Sequence, residues 1–153
     1  MEEAAEGLMQ LKETERRLRV EETNGIRYID DTYNASPDSM RAGIDVLMGL
    51  KAERRIAFLG DMFELGPDSD RFHGEVGSYA ADRNVDIVWT LGDTSRFLSE
   101  AAGEGGIEAR HFTDREEMKE AVKDLVRKGD AILVKGSRGM AMEELVEIIK
   151  GLK

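Results

Sequence analysis

Apolar residues recur along this chain in two alternating patterns, as short continuous runs and as helical stripes. The continuous runs "RRIAFLG", "VDIVWTLG" and "DAILVKG" are typical of buried strands. Between them, apolar side chains return every three or four positions, as in Met40, Ile44 and Leu47, which predicts amphipathic helices. Buried strands that alternate with such helices indicate a parallel sheet covered on both faces. We therefore predict a single doubly wound, Rossmann-like α/β domain with a mostly parallel sheet.

The sheet is predicted to begin with an N-terminal hairpin strand. Apolar and polar residues alternate through "RRLRVEE", and Asn24-Gly25 is a strong signal for a tight turn into "IRYID". Ser36 and Pro37 should begin the next helix, because serine caps a helix and proline fits its first position. Later helices are predicted over about 69–83, 93–102, 114–129 and 142–152, with a weaker strand in "IEARHF".

Composition narrows the class of protein. The chain has 153 residues, which is the length of one domain, and a formal net charge of −10. That charge repels nucleic acid phosphates and anionic lipids, so we expect no nucleic acid partner. No apolar run reaches the ~18–20 residues of a membrane span, and the acidic start is unlike a signal peptide. We therefore expect a cytoplasmic protein without membrane insertion. With no cysteine and two histidines, no metal site is predicted.

Polar segments follow three of the predicted strands, at the end where parallel sheets bind ligands. They are "DDTYNASP", "GDMFELGPDSD" and "KGSRG". A carboxylate at a strand end, here Asp31, suits ribose hydroxyls or a metal ion. In "KGSRG", backbone N–H groups at a helix start attract anions, and Arg138 can bind a carboxylate through two hydrogen bonds. We expect the segments around Asp31 and Arg138 to lie side by side and exposed on one edge of the sheet.

The role of the middle segment, "GDMFELGPDSD", stays open between ligand binding and a structural role. Asp61 and Glu64 fit ligand-binding acids and solvated loop acids equally well. His73 lies beside an apolar stripe, which favours a partly buried histidine that holds a hydrogen bond. The sequence contains no GxxxxGK[ST], no GxGxxG after the first strand and no HExxH, so the domain is not expected to hydrolyse nucleotides on its own.

Four motifs in series resemble those of the C-terminal domain of the Mur ligases: "IDDTYNASPDSM", "AFLGDMFELG", "HGEVG" and "ILVKGSRGM". The resemblance covers about residues 15–150. It is greatest for the branch that adds D-alanyl-D-alanine to UDP-N-acetylmuramoyl-tripeptide in peptidoglycan synthesis. It implies a three-domain, ATP-dependent amide ligase that works through an acyl phosphate. Residues 1–14 would then be the tail of a central ATPase domain, which holds ATP and Mg²⁺, and residues 15–153 the C-terminal domain. Alone, this chain is expected to be inactive.

The resemblance also implies site residues, none of them catalytic within this domain. Asp31 matches the strand-end acid that contacts the ATP ribose, in the same loop as Tyr33 and Asn34. Arg17 matches an arginine that reaches toward the phosphates, although Arg16 stands where the family has glycine. The loop that holds the added dipeptide matches Lys135, Gly136, Ser137 and Arg138. Three further motif positions carry no assigned role: Asp61, Glu64 and His73.

Two other classes of protein fit parts of the pattern. Phosphoacceptor receiver modules also place paired acids after the first core strand, an aspartate after a later strand and a lysine after the last. Asp30-Asp31, Asp61 and Lys135 would take those places, but Asp61 follows the second core strand and Lys135 precedes glycine. The other alternative is a nucleotide-binding module that works without a ligase partner.

Overall fold

The structure is a computed structural model that describes residues 20–32 and 35–152. Within that part of the chain, the strands form one six-stranded sheet in the order β1-β2-β6-β3-β4-β5. The strands are β1 (Val20–Thr23), β2 (Ile26–Asp31), β3 (Arg54–Gly60), β4 (Ile87–Leu91), β5 (Glu108–Phe112) and β6 (Asp130–Lys135). The α-helices are α1 (Pro37–Met48), α2 (Ser69–Asp82), α3 (Ser95–Glu104), α4 (Arg115–Leu125) and α5 (Glu143–Gly151).

The sheet is parallel apart from its first strand. β1 pairs with β2 in antiparallel fashion, and the other neighbours pair in parallel. The hairpin turn works because Asn24 and Gly25 both adopt positive φ, 49° and 81°, as a tight turn of this kind requires. The predicted hairpin and mostly parallel sheet are confirmed.

Helices cover both faces of the sheet, as predicted for a doubly wound domain. Apolar side chains of α1, α2 and α3 pack on one face, against β-strand residues such as Ile29 and Leu133. Those of α4 and α5 pack on the other face, where Trp89 lies between Phe58 and Phe112 at ring-centroid distances of 5.7 and 5.3 Å. No helix within residues 20–32 and 35–152 is long and apolar enough to cross a membrane.

Three details differ from the sequence prediction. Helix α4 ends at Leu125, not near Gly129, because Val126 turns to an extended backbone (φ −71°, ψ 133°) and still buries its side chain. Two short 3-10 turns, Gly66–Asp68 and Arg138–Met140, were not predicted.

The predicted tail at residues 1–14 lies outside the described residues.

An ion pair between the half-buried Arg54 and the buried Asp130, which are register partners, fastens the amino ends of β3 and β6. Arg54 Nε and Nη2 donate to the two Asp130 carboxylate oxygens at 2.9 and 2.8 Å. The same guanidinium donates to the Leu125 carbonyl at 2.7 Å, and the Arg127 N–H donates to Asp130 at 2.9 Å. The hydrogen bond that Arg54 donates to Asp130 raises the pKa of Arg54, against a smaller lowering from burial. This pair, at what we call the amino edge, uses most of its hydrogen-bonding groups within the fold.

Candidate functional site

The carboxyl ends of β2, β6 and β3 lie side by side, and we call this region the carboxyl edge. β6 is last in the chain but lies between β2 and β3, so Lys135 is the register partner of both Asp31 and Leu59. The segments that start at Asp31 and at Lys135 therefore leave neighbouring strands at the same height. Their predicted placement side by side is confirmed.

Asp31 and Lys135 form a buried ion pair at this edge. Lys135 Nζ donates to the Asp31 carboxylate. Lys135 is 1% exposed and Asp31 is 4% exposed. The lysine stem runs beneath α1 at Gly43, where an added Cβ would lie 3.5 Å from Lys135 Cδ. The expectation of an exposed Asp31 carboxylate is therefore wrong. Both side chains lie inside the fold, while the predicted roles of Asp31 and Lys135 in substrate binding stay predictions.

The loop after β6 is held from within the protein. The Ser137 N–H donates to the Asp61 carbonyl at 3.1 Å, and Ser137 Oγ accepts from the Phe63 N–H at 2.8 Å. An added Cβ at Gly136 would lie 2.7 Å from Met142 Cγ, so close packing of the chain explains this glycine. Among the four predicted dipeptide-binding residues, Arg138 has an exposed side chain and the other three residues are buried.

Asp61 links the loops after β3 and β4. Its carboxylate is buried and accepts the Asp93 N–H at 2.9 Å and the Ser95 N–H at 2.8 Å, at the start of α3. Gly92 has a φ of 132° and approaches so closely that an added Cβ would lie 2.3 Å from Asp61 Oδ1. Asp61 thus acts as a cap. Its burial disfavours the receiver alternative, in which this carboxylate accepts a phosphoryl group.

His73 also has a structural role. It is fully buried, its Nε2 accepts the Met62 N–H at 3.0 Å, and its Nδ1 lies 2.7 Å from the Ser69 carbonyl. These partners assign the proton to Nδ1, because Nε2 must accept and the carbonyl needs a donor. The interpretation of His73 as a buried hydrogen-bonding histidine is confirmed.

An exposed aromatic residue at the carboxyl edge was not predicted. Phe63 is 46% exposed, and its ring covers Gly139, where an added Cβ would lie 2.9 Å from Phe63 Cε2. Glu64 follows it with an exposed side chain and a φ of 62°. The segment "DMFEL" gave no sign of which side chain would face outward, because a loop has no regular alternation of buried and exposed positions.

Arg115 is a second residue that the sequence did not single out. From the first turn of α4 it donates through Nη2 to the Met140 carbonyl at 2.7 Å. It thereby holds the 3-10 turn that carries Arg138.

Among the described residues, no group of three or more His, Asp or Glu side chains is arranged to hold a metal ion.

Comparison with known proteins identifies the family. The family model described as "Mur ligase, glutamate ligase domain" matches residues 15–138. The chain belongs to the Mur ligase family. The UDP-N-acetylmuramoyl-tripeptide–D-alanyl-D-alanine ligase of Bacillus subtilis is 41% identical over 150 residues, with 95% of this chain and 33% of that protein covered. This chain thus spans about a third of the length of that Mur ligase.

Solved Mur ligase structures share the fold. The MurF ligase of Thermotoga maritima in complex with ADP superposes with a TM-score of 0.72 at 28% identity, covering 88% of this chain and 30% of that one. A MurF structure from Acinetobacter baumannii gives 0.75 at 29% identity, with the same shares covered. The family and fold predicted from the motifs are confirmed. Three residues assigned by the resemblance lie outside the described residues: Arg17, Tyr33 and Asn34.

Proposed function

We propose that this chain is the C-terminal domain of an ATP-dependent ligase that adds D-alanyl-D-alanine to UDP-N-acetylmuramoyl-tripeptide. The supporting observation is the 41% identity, across 95% of the chain, to a Bacillus subtilis protein that bears the name of this activity. The reaction would take place in the cytoplasm, as a step of peptidoglycan precursor synthesis. Its partners would be the N-terminal and central domains of the same ligase.

The carboxyl edge supplies two neighbouring segments for two substrates. In this proposal the segment at Asp31, with Tyr33 and Asn34, faces ATP, and Arg17 reaches toward its phosphates. The loop of Gly136, Ser137 and Arg138 faces the dipeptide, whose carboxylate the exposed guanidinium would bind. The Thermotoga maritima relative, which was solved with ADP, supports a nucleotide-binding role for this family.

In the reaction, the domain would position the substrates more than it would make or break bonds through its own side chains. ATP converts the tripeptide carboxylate to an acyl phosphate, and the dipeptide amine then attacks the acyl carbon and releases phosphate. Holding the amine against that carbon lowers the entropic cost of the step. Mg²⁺ would be bound by the central domain. Closure of the C-terminal domain over ATP would bring the two substrates together.

Phosphate release by the full-length ligase tests the proposal. We expect ADP and phosphate to form only when UDP-N-acetylmuramoyl-tripeptide and D-alanyl-D-alanine are both present. D-Alanine alone is the matched control and should give no turnover. Turnover with a single amino acid in place of the dipeptide would contradict the proposed substrate, though not the family.

The 153-residue chain by itself provides a second test. Because ATP would be held mainly by the central domain, we expect weak ATP binding and no ATPase activity. Isothermal calorimetry that shows micromolar affinity for ATP in this chain would contradict a divided ATP site.

A further inference from the structure

The loop proposed to face the dipeptide ends in a 3-10 turn that a side chain from another helix holds. Ser137, at the start of the turn, is fixed by its two hydrogen bonds to the loop after β3. At the other end, the Met140 carbonyl accepts from Arg115 Nη2 at 2.7 Å. Arg138 lies between these two anchored points, so the place of its backbone depends on both of them.

The backbone is strained where the turn ends. Ala141 has a φ of 53° and a ψ of 38°, a left-handed conformation that is unfavourable for a residue with a Cβ. The carbonyl that Arg115 binds belongs to the peptide unit between Met140 and Ala141. A hydrogen bond to that carbonyl fixes the orientation of the peptide unit, and it therefore opposes relaxation of the strained residue.

Apolar packing beneath the turn is adaptable. Met140 and Met142 connect the turn to Gly60 of β3, where an added Cβ would lie 3.0 Å from Met142 Sδ and 3.3 Å from Met140 Cε. Methionine side chains are unbranched and fit several arrangements. We therefore expect a directional hydrogen bond, more than these contacts, to select one position of the turn.

Arg115 is oriented by residues outside the proposed site. Its Nη1 lies 3.4 Å from Glu144 Oε2 on α5, and Lys119 Nζ lies 3.4 Å from the other oxygen of that carboxylate. Arg115 Nε is buried and has no hydrogen-bond partner among the residues that the structure describes. An unpaired buried donor lowers stability, so stability alone does not explain the placement of Arg115.

We infer that Arg115 is a positioning residue for dipeptide binding. By holding the Met140 carbonyl, it sets where Arg138 presents its guanidinium to the carboxylate of D-alanyl-D-alanine. This inference rests on the proposed function. It adds a residue that lies on α4, outside the loop that faces the dipeptide.

Steady-state kinetics of the full-length ligase test the inference with Arg115→Met. Without the guanidinium the turn can relax, so the KM for D-alanyl-D-alanine should rise about tenfold, while the KM for ATP stays unchanged. A loss of stability alone would lower the active fraction, and with it the maximal rate, but would leave both Michaelis constants unchanged. An unchanged KM for the dipeptide overturns the inference.

Arg110→Met is the matched control. Arg110 Nη2 lies 3.4 Å from Glu117 Oε1 on α4, the same distance that separates Arg115 from Glu144. The guanidinium of Arg110 lies over the rings of Trp89 and Phe112. We expect this variant to keep the wild-type KM for the dipeptide. If it raises that constant as much as Arg115→Met does, a general disturbance of α4 explains the effect and the inference fails.

A double variant separates positioning from direct contact. In the Arg138→Ala background, Arg115→Met should add little to the KM for the dipeptide, because the guanidinium that it positions is already absent. If the two increases multiply instead, Arg115 binds the dipeptide independently and the inference is wrong. An unchanged dipeptide constant in Arg138→Ala alone would also overturn it, since Arg115 would then have no binding group to position.

Amide hydrogen exchange in the 153-residue chain keeps the test independent of the proposed function. The Met140 N–H donates to the Ser137 carbonyl at 2.9 Å within the turn, so its exchange rate reports how often the turn opens. Arg115→Met should speed this exchange about tenfold, and Arg110→Met should not. Unchanged exchange in Arg115→Met would overturn the inference. Faster exchange in a ligase that does not accept D-alanyl-D-alanine would instead count against the proposed function alone.

Discussion

The two ends of β6 hold the same kind of interaction in two different settings. At the amino edge, Arg54 binds both oxygens of Asp130, and further backbone groups complete the cluster. At the carboxyl edge, the ammonium of Lys135 meets the Asp31 carboxylate, and the chain continues into loops on both sides. Both carboxylates are buried, so a buried charged carboxylate alone does not distinguish a structural pair from one that serves a site.

The difference lies in what each pair is attached to. The guanidinium of Arg54 is planar and donates several hydrogen bonds, which fixes the orientation of its partner. The ammonium of Lys135 is a compact point charge. The amino-edge pair joins β3 to β6 and, through the Leu125 carbonyl and the Arg127 N–H, to the turn that follows α4. The carboxyl-edge pair joins the two segments that we propose to face substrates. We therefore expect the first to affect stability alone and the second to affect stability and binding.

The largest expected effect on stability is at the amino edge. Arg54→Met leaves the buried Asp130 carboxylate without its cation, and we expect a loss of about 3–5 kcal/mol in the free energy of unfolding. Urea titration of the 153-residue chain measures this change. A loss below about 1 kcal/mol would show that the amino-edge pair behaves as a surface pair, and the comparison would fail.

The next effect should appear in binding without a change in stability. Arg138→Ala removes an exposed guanidinium that we propose binds the dipeptide carboxylate. A charged hydrogen bond contributes about 1.5–3 kcal/mol, so the KM for D-alanyl-D-alanine should rise about 10- to 100-fold. The KM for ATP should change little. Steady-state kinetics with each substrate varied in turn would show this split, and an unchanged dipeptide constant would remove Arg138 from the site.

His73 should behave as a structural residue. Replacing it in His73→Leu leaves the Met62 N–H without its partner and removes one donor to the Ser69 carbonyl, which should cost about 2 kcal/mol of stability. Chemical denaturation checks the loss. Because the imidazole is fully buried, the kcat of the folded full-length ligase should stay close to wild type. A large fall in kcat at unchanged stability would assign His73 a catalytic role.

The smallest effect is expected for an exposed ion pair. Arg71 and Asp68 approach to 3.5 Å, and both side chains are 62% exposed. Arg71→Met should change the free energy of unfolding by less than about 0.5 kcal/mol. The same urea titration gives the value. A larger loss would mean that charge, more than burial, sets the energy of ion pairs in this domain.

Much of the fold was predictable because its signals are local. Buried strands, the Asn24-Gly25 turn and the Ser36-Pro37 helix start each depend on neighbouring residues, and all are confirmed. The end of α4 was missed, because Val126 leaves the helix yet stays in the core. Periodicity continues through that residue, so the pattern alone gave no boundary.

The candidate site was predictable in its place but not in its contacts. Parallel strand ends must share an edge, so the neighbouring positions of Asp31 and Lys135 followed from the topology. Their burial did not, because it involves packing between elements that are far apart in the sequence, such as α1 at Gly43 against the Lys135 stem. Likewise, Asp61 and Phe63 belong to one motif, yet one caps a turn inside the fold and the other faces outward.

A crystal structure of the full-length ligase with a non-hydrolysable ATP analogue and D-alanyl-D-alanine tests the central claim most directly. We predict that both ligands lie beyond the carboxyl edge, with the dipeptide carboxylate within hydrogen-bonding distance of Arg138. A dipeptide bound elsewhere on the domain, or a nucleotide bound away from the carboxyl edge, would contradict the account.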